Sequence, residues 1–271
     1  MSAALFKRTF RNYLLLNAGA SALLFAFVIL FMFASNSIPL EESRQWLKLE
    51  WVRRLINAMI GGDVADALTP TGVSSFVFTH PFTWVLIVSY LLTTSTGVLS
   101  AEMDRGTMDL LATLPISRKR LYVSVSAVVL VMGLPIVWSA WLGVFVGARL
   151  VGVAEHANMS RLAMVVVNLY AAYVCMAGFA LAVSGSSERR GVALVWCFLI
   201  FFYSFILNLL AAFWPAAQEI SFTGFLYYYA PLPMVLNGEW PTKNLLVLVG
   251  VGMLTWGVGA LRFCRRDIHV T

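Results

Sequence analysis

Charge is what this sequence has least of. Of its 271 residues only 12% are Asp, Glu, Lys or Arg, while 60% are hydrophobic, and mean hydropathy is +0.82. A soluble domain is roughly 45–50% apolar and about a quarter charged, so a water-soluble globule is excluded. Long apolar runs place the chain in the bilayer instead, and no length is left for a second soluble domain of ordinary size. None of the runs carries Asp, Glu, Lys or Arg at mid-depth. Proton- and ion-driven carriers usually put ionisable groups there, and their absence argues that the energy for any transport arrives from elsewhere. Cysteine is scarce as well. Cys175 and Cys197 lie inside apolar runs and Cys264 ends the last one. The odd number and these places argue against a disulfide framework or a metal site and favour small packing residues. There is no Gly-x-x-x-x-Gly-Lys-Ser/Thr, no His-Glu-x-x-His and no Gly-x-Ser-x-Gly. The chain is therefore not expected to be an enzyme, and it cannot be expected to hydrolyse ATP alone. The net charge of +6 does not mark a nucleic-acid binder, because the basic residues are scattered at the ends of the apolar runs.

What is present is a set of six such runs, at 13–34, 75–101, 121–147, 162–183, 192–214 and 244–263. They predict an all-α membrane protein, one permease-sized domain over 1–271, with six transmembrane helices. The first run is too long for a signal peptide and is expected to stay as an anchor. Before it, Lys7, Arg8 and Arg11 among apolar neighbours suit a short interfacial helix. Residues 45–60 alternate Trp46, Leu49, Val52, Ile56 and Met59 with Lys48, Glu50, Arg53 and Arg54, the pattern of an amphipathic helix lying in the interface. It is either a rim over an outward exit or a plain anchor. Pro81 falls near the start of the second run, where a helix tolerates it, and His80 before it reads as a packing or hydrogen-bonding residue. Thr93, Thr94, Ser95 and Thr96 can bond across helices or to their own backbone. Pro135 lies mid-run and should kink the third span. Residues 215–242 are too apolar for a loop and too broken for a span. They read as a segment dipping part-way into the membrane or as an aromatic interfacial belt.

With six spans both termini lie on one side. Twelve of the nineteen basic residues gather there and seven on the other, which predicts cytoplasmic N- and C-termini. The same side holds the most polar short stretch of the chain, 102–120, between the second and third runs. Thr107 can cap a helix start and Asp109 suits its positive end. Leu110, Leu111 and Leu114 share one face. Pro115 stops the helix, and Ser117 can cap the next. Such a helix can dock another protein or lie on the lipid headgroups.

The wording of that stretch is more specific than its physics. Glu102, Arg105-Gly106-Thr107, Leu110-Leu111, Leu114-Pro115 and Ser117-Arg118 resemble the segment after the second span of ABC-2 type permeases, the membrane subunits of ATP-driven exporters. About seventeen residues carry this resemblance; the remainder of the chain agrees in length, span number and topology. It implies a permease in the cell membrane, exporting a substrate it does not identify. It also implies a cytoplasmic coupling helix between spans 2 and 3 and a re-entrant piece before span 6. The implied partners are two copies of a cytoplasmic ABC ATPase, which would hold the ATP and Mg, and a second permease copy or a similar chain. This chain would need no cofactor of its own. In such a complex Leu110, Leu111 and Leu114 would form the docking face and Gly106 a tight turn. Glu102, Arg105 and Arg118 would fix the helix angle through ion pairs. A reading of another class is a non-transporting membrane scaffold that recruits a cytoplasmic partner through the same helix.

Overall fold

The computed structural model describes residues 1–37, 45, 47–106, 116–153 and 156–265. Among them there is no strand. Eleven α-helices occur there: α1 (Ala3–Ser37), α2 (Glu50–Ile60), α3 (Pro70–Ser75), α4 (Pro81–Val98), α5 (Ser100–Asp104), α6 (Arg118–Val151), α7 (Met159–Ser186), α8 (Arg190–Ala211), α9 (Pro215–Ile220), α10 (Pro231–Asn237) and α11 (Thr242–Arg265). Six segments are long and apolar enough to cross a membrane: α1, the α3–α4 unit, α6, α7, α8 and α11. We call them spans 1 to 6.

Two helix pairs form the frame. Span 1 packs along span 3, and span 4 along span 6. Small residues allow the approach. A methyl at Gly147 would meet Met32, and one at Gly178 would lie 2.1 Å from the Gly252 carbonyl oxygen. In lipid, where the hydrophobic effect no longer drives helices together, such close van der Waals packing does much of the work. Spans 3 and 4 contact each other and are the most enclosed. Tyr122, Met132, Ile136 and Tyr173 lie in their core. Span 2 leans on spans 1, 3, 4 and 5. Span 5 turns an apolar face outward, including Val195, Trp196, Leu199 and Phe202.

The basic N-terminal segment and span 1 are one continuous helix, so the interfacial piece is not separate. Its backbone start is tied down by Ser2 N–H donating to Ser124 Oγ at 2.8 Å. The second run is broken twice. It opens with α3 and a single 3-10 turn, Phe76–Phe78. Then α4 restarts at Pro81, where His80 Nδ1 accepts from Phe82 N–H at 3.2 Å. Proline suits that first helical position because its missing N–H is unpaired there anyway. At the other end Leu99 (φ −126°, ψ −72°) leaves the helix and α5 begins. The hydroxyls of span 2 mostly bond their own backbone: Thr94 to Tyr90, Ser95 to Leu91 and Thr96 to Leu92, each to the carbonyl one turn back.

The far end of the bundle is roofed by short elements. α2, the 61–67 turn and α10 share a small apolar cluster of Ile60, Val64, Ala67 and Leu232. Arg53 pairs with Asp63, which holds that carboxyl below its ordinary range. Arg161, at the start of span 4, donates to the Val235 and Leu236 carbonyls at 2.7 and 2.8 Å. These are orphan acceptors at the C-terminal end of α10, and a cation there also suits the helix dipole. Residues 215–238 run as α9, two 3-10 turns (Ser221–Thr223 and Phe225–Tyr228) and α10. Two backbone groups of the second 3-10 turn are met by span side chains. Ser204 Oγ accepts from Leu226 N–H at 3.1 Å and Asn168 Nδ2 donates to the Tyr228 carbonyl at 3.5 Å.

Candidate functional site

Three places in this framework have the chemistry or geometry of function: the polar stretch after span 2, a groove between spans 2 and 5, and a polar node inside the bundle.

The polar stretch leaves span 2 at a built-in break. Ser100 N–H donates to Ser184 Oγ of span 4 at 3.2 Å, and Ser100 Oγ donates back to the Thr96 carbonyl at 2.9 Å. Glu102 lies half-buried on α5, and Arg105 follows it exposed. Gly106 has φ +68° and no atom within 4 Å of where a Cβ would stand. Its role is therefore a left-handed backbone turn, which an L side chain resists. Thr107, Leu110, Leu111, Leu114 and Pro115 lie outside the described residues. The structure resumes at the start of span 3. There Ser117 caps α6 by accepting from Arg120 N–H at 3.3 Å, and Arg118 is the first helical residue. Glu102 and Arg105 do come together on one cavity, with Arg8 of span 1 and Arg190 of span 5.

The groove lies between spans 2 and 5 under α2 and the 225–229 turn. It encloses about 400 Å³ and is lined mainly by Trp84, Val88, Leu92, Phe201, Phe205 and Phe225. Its polar groups are largely engaged. Thr79 Oγ1 donates to the Phe76 carbonyl at 2.9 Å, Asn208 Nδ2 to Ala58 at 3.2 Å and Tyr229 Oη to Phe78 at 3.1 Å. Trp84 meets Tyr229 edge-on, ring centroids 5.1 Å apart. A guest would find aromatic faces and methyl groups, and no charge. Met59 of the amphipathic helix also reaches this groove, so α2 borders it.

The node surrounds Pro135. Proline lacks the N–H that would bond the Val131 carbonyl, and its ring crowds the preceding turn. The helix continues unbroken through it, and three carbonyls of that turn accept side-chain donors from other spans. Asn17 Nδ2 of span 1 donates to Met132 at 2.7 Å, Tyr173 Oη of span 4 to Val129 at 2.9 Å, and Tyr170 Oη to Leu130 at 3.0 Å. Asn17 also donates to Tyr90 Oη of span 2 at 2.9 Å. The Tyr173 ring rests on Gly133, where a Cβ would lie 2.2 Å from it. Four spans thus meet on one loosened turn. None of these side chains stood out in the sequence, where each is one polar atom in an apolar run. The signal that could have found them was an amide at Asn17 together with Gly133 and Pro135 two residues apart.

A family model described as ABC-2 family transporter protein matches residues 5–268, almost the whole chain. No significant match was found among curated proteins or among solved structures. The matched length takes in every apolar span and the polar stretch whose wording carries the resemblance, and the chain belongs to the ABC-2 family: it is a multi-pass permease of the cell membrane, a transport component whose family implies association with an ABC ATPase.

Proposed function

We propose that this permease is the membrane half of an ATP-driven exporter for an apolar or amphipathic cargo. The observation that carries the cargo class is the groove between spans 2 and 5. Its aromatic lining offers apolar surface, it holds no charged side chain, and Thr79, Asn208 and Tyr229 already have partners. Charged side chains in the spans sit only near helix ends, which supports a separate source of energy. That source is an ATPase in the cytoplasm, with ATP and Mg bound there and not in this chain. Both termini and the 102–118 stretch are cytoplasmic in this reading, following the twelve-to-seven distribution of basic residues. Leu110, Leu111 and Leu114 form the docking face. Residues 215–238 act as the re-entrant piece before span 6. Two permease chains and two ATPase subunits complete the exporter.

The force path in this reading is short. A push on the docking helix reaches α5 through Gly106 and crosses the Leu99 break into span 2, whose side chains wall the groove. Two measurements test it. A cysteine placed at Ser117 is expected to react with a membrane-impermeant maleimide only in inside-out vesicles; labelling from outside intact cells would refute the orientation. Leu110→Asp or Leu111→Asp is expected to abolish co-purification with the ATPase while membrane insertion persists. Full retention of the ATPase by both variants would refute the docking face.

A further inference from the structure

At the bundle end that carries the N-terminus, spans 1, 2 and 5 leave a cavity of about 320 Å³. Three arginines line it, each from a different element: Arg8 from α1, Arg105 from the turn after α5, and Arg190 from the first residue of α8. One carboxylate, Glu102, shares the cavity, so its lining carries a net charge of plus two. Basic residues at span ends are commonplace, and Arg8 and Arg105 are exposed, but Arg190 does not simply radiate into water. Arg190 is half-buried, and its Nε donates inward to Thr96 Oγ1 at 3.3 Å. The Arg189 side chain does not cap the first turn of α8, and the dipole of that helix adds positive potential on the same side. Buried Leu5, Val98 and Val125 stand in its wall beside the polar Thr9, Asn12, Tyr13 and Thr93. Beyond the cavity, α1 and α8 carry exposed apolar side chains along their lengths, among them Leu16, Leu23, Val195 and Leu199.

We infer that this cavity binds the phosphate of an anionic glycerophospholipid, held among Arg8, Arg105 and Arg190, with the acyl chains along spans 1 and 5. Arginine matches a phosphate because its planar fork donates two parallel hydrogen bonds. A soluble phosphate ester shares that chemistry. The flanking hydrocarbon-length helices, with their exposed apolar side chains, favour the lipid. A bound lipid would brace α5, the element from which the docking stretch departs, so the annular lipid would set the angle at which force enters span 2. The inference rests on the proposed orientation only for the leaflet, the cytoplasmic one. Its chemistry stands or falls separately from the maleimide and co-purification results.

The test is native mass spectrometry of the full chain, delipidated in detergent and titrated with phosphatidylglycerol, with phosphatidylcholine, and with phosphatidylglycerol plus millimolar glycerol 1-phosphate. Retention of phosphatidylglycerol is expected to exceed that of phosphatidylcholine about tenfold. Glycerol 1-phosphate should leave that preference in place. The double variant Arg8→Gln/Arg190→Gln should lose the preference. Arg8→Lys/Arg190→Lys should keep only part of it, because an ammonium supplies the charge without the paired bonds of the guanidinium, whereas Arg149→Gln, whose guanidinium lies at the far end of span 3 over the Phe145 ring, should keep it whole. Equal binding of the two lipids, or a preference that survives in the double glutamine variant, would overturn the site. Displacement of the lipid by glycerol 1-phosphate would overturn the lipid and leave a soluble phosphate ester as the ligand. A melting temperature for each variant separates a lost site from a lost fold.

Discussion

Asn17 is the only amide between Tyr13 and Ala34, and its burial is tolerable because both amide hydrogens have acceptors, Tyr90 Oη and the Met132 carbonyl. Hydrogen bonds between spans are worth about 0.6 kcal/mol on average and up to about 1.7. Asn17→Leu keeps the branched shape and removes both bonds, so it is expected to cost about 1–2 kcal/mol, read as a lower melting temperature in detergent. An unchanged melting temperature would mean that these bonds add no net stability. Glycine makes the same point by contrast. Gly133→Ala drives a methyl into the Tyr173 ring and should destabilise by about 1–3 kcal/mol, the range for overpacking a filled core. Gly19→Ala meets no atom within 4 Å and sits inside a helix, so it should gain up to about 1 kcal/mol from propensity alone. The same residue type therefore shifts stability in opposite directions, and the melting temperatures of the two variants should bracket that of the parent chain.

Among the elements, span 3 is built around a fault. A continuous helix with proline at its middle gives up one backbone bond, the one to the Val131 carbonyl, and side chains of spans 1 and 4 donate to the carbonyls on either side of it, Val129, Leu130 and Met132. That arrangement can repack without breaking the helix, because the donors belong to spans 1 and 4 and the acceptors to span 3. Pro135→Ala restores the missing bond and recovers part of the roughly 3 kcal/mol by which alanine exceeds proline in a helix interior. The expected result is a higher melting temperature with slower ATP-dependent transport in proteoliposomes. Transport at the parent rate would show that the fault is static accommodation and not a pivot. The break at Leu99 is of another kind. There the backbone itself departs from helical angles, and Ser184 of span 4 holds the first N–H after it.

Across the whole molecule, the spans divide into a frame of tightly packed pairs, 1 with 3 and 4 with 6, and a looser side where spans 2 and 5 border the groove. Movement at a groove wall disturbs fewer packed atoms than movement inside the frame, which is why we place the transport path there. Val88→Trp fills the groove with aromatic volume from a half-buried position. It is expected to reduce transport several-fold while the ATPase still co-purifies, since the docking stretch is untouched. Loss of both together would point to misfolding, and loss of neither would remove the groove from the path. The roof at the far end has its own fastening in Arg161, which joins span 4 to α10 across more than seventy residues of sequence.

The sequence by itself determined the membrane class, the six spans and the place of the polar stretch. Hydropathy runs, caps and helix stops are local, and each can be read from neighbours along the chain. Ser117 capping α6 and Gly106 turning left-handed are outcomes of that kind. The tertiary structure alone decided what the isolated polar atoms do. Asn17, Tyr90, Tyr173 and the turn before Pro135 are separated by up to 156 residues and become one node only when four helices pack. Likewise Arg8, Arg105 and Arg190 read as scattered end charges until spans 1, 2 and 5 bring them to one cavity. Burial and like-charge convergence depend on distances in space, and the order of residues along a helix does not contain them.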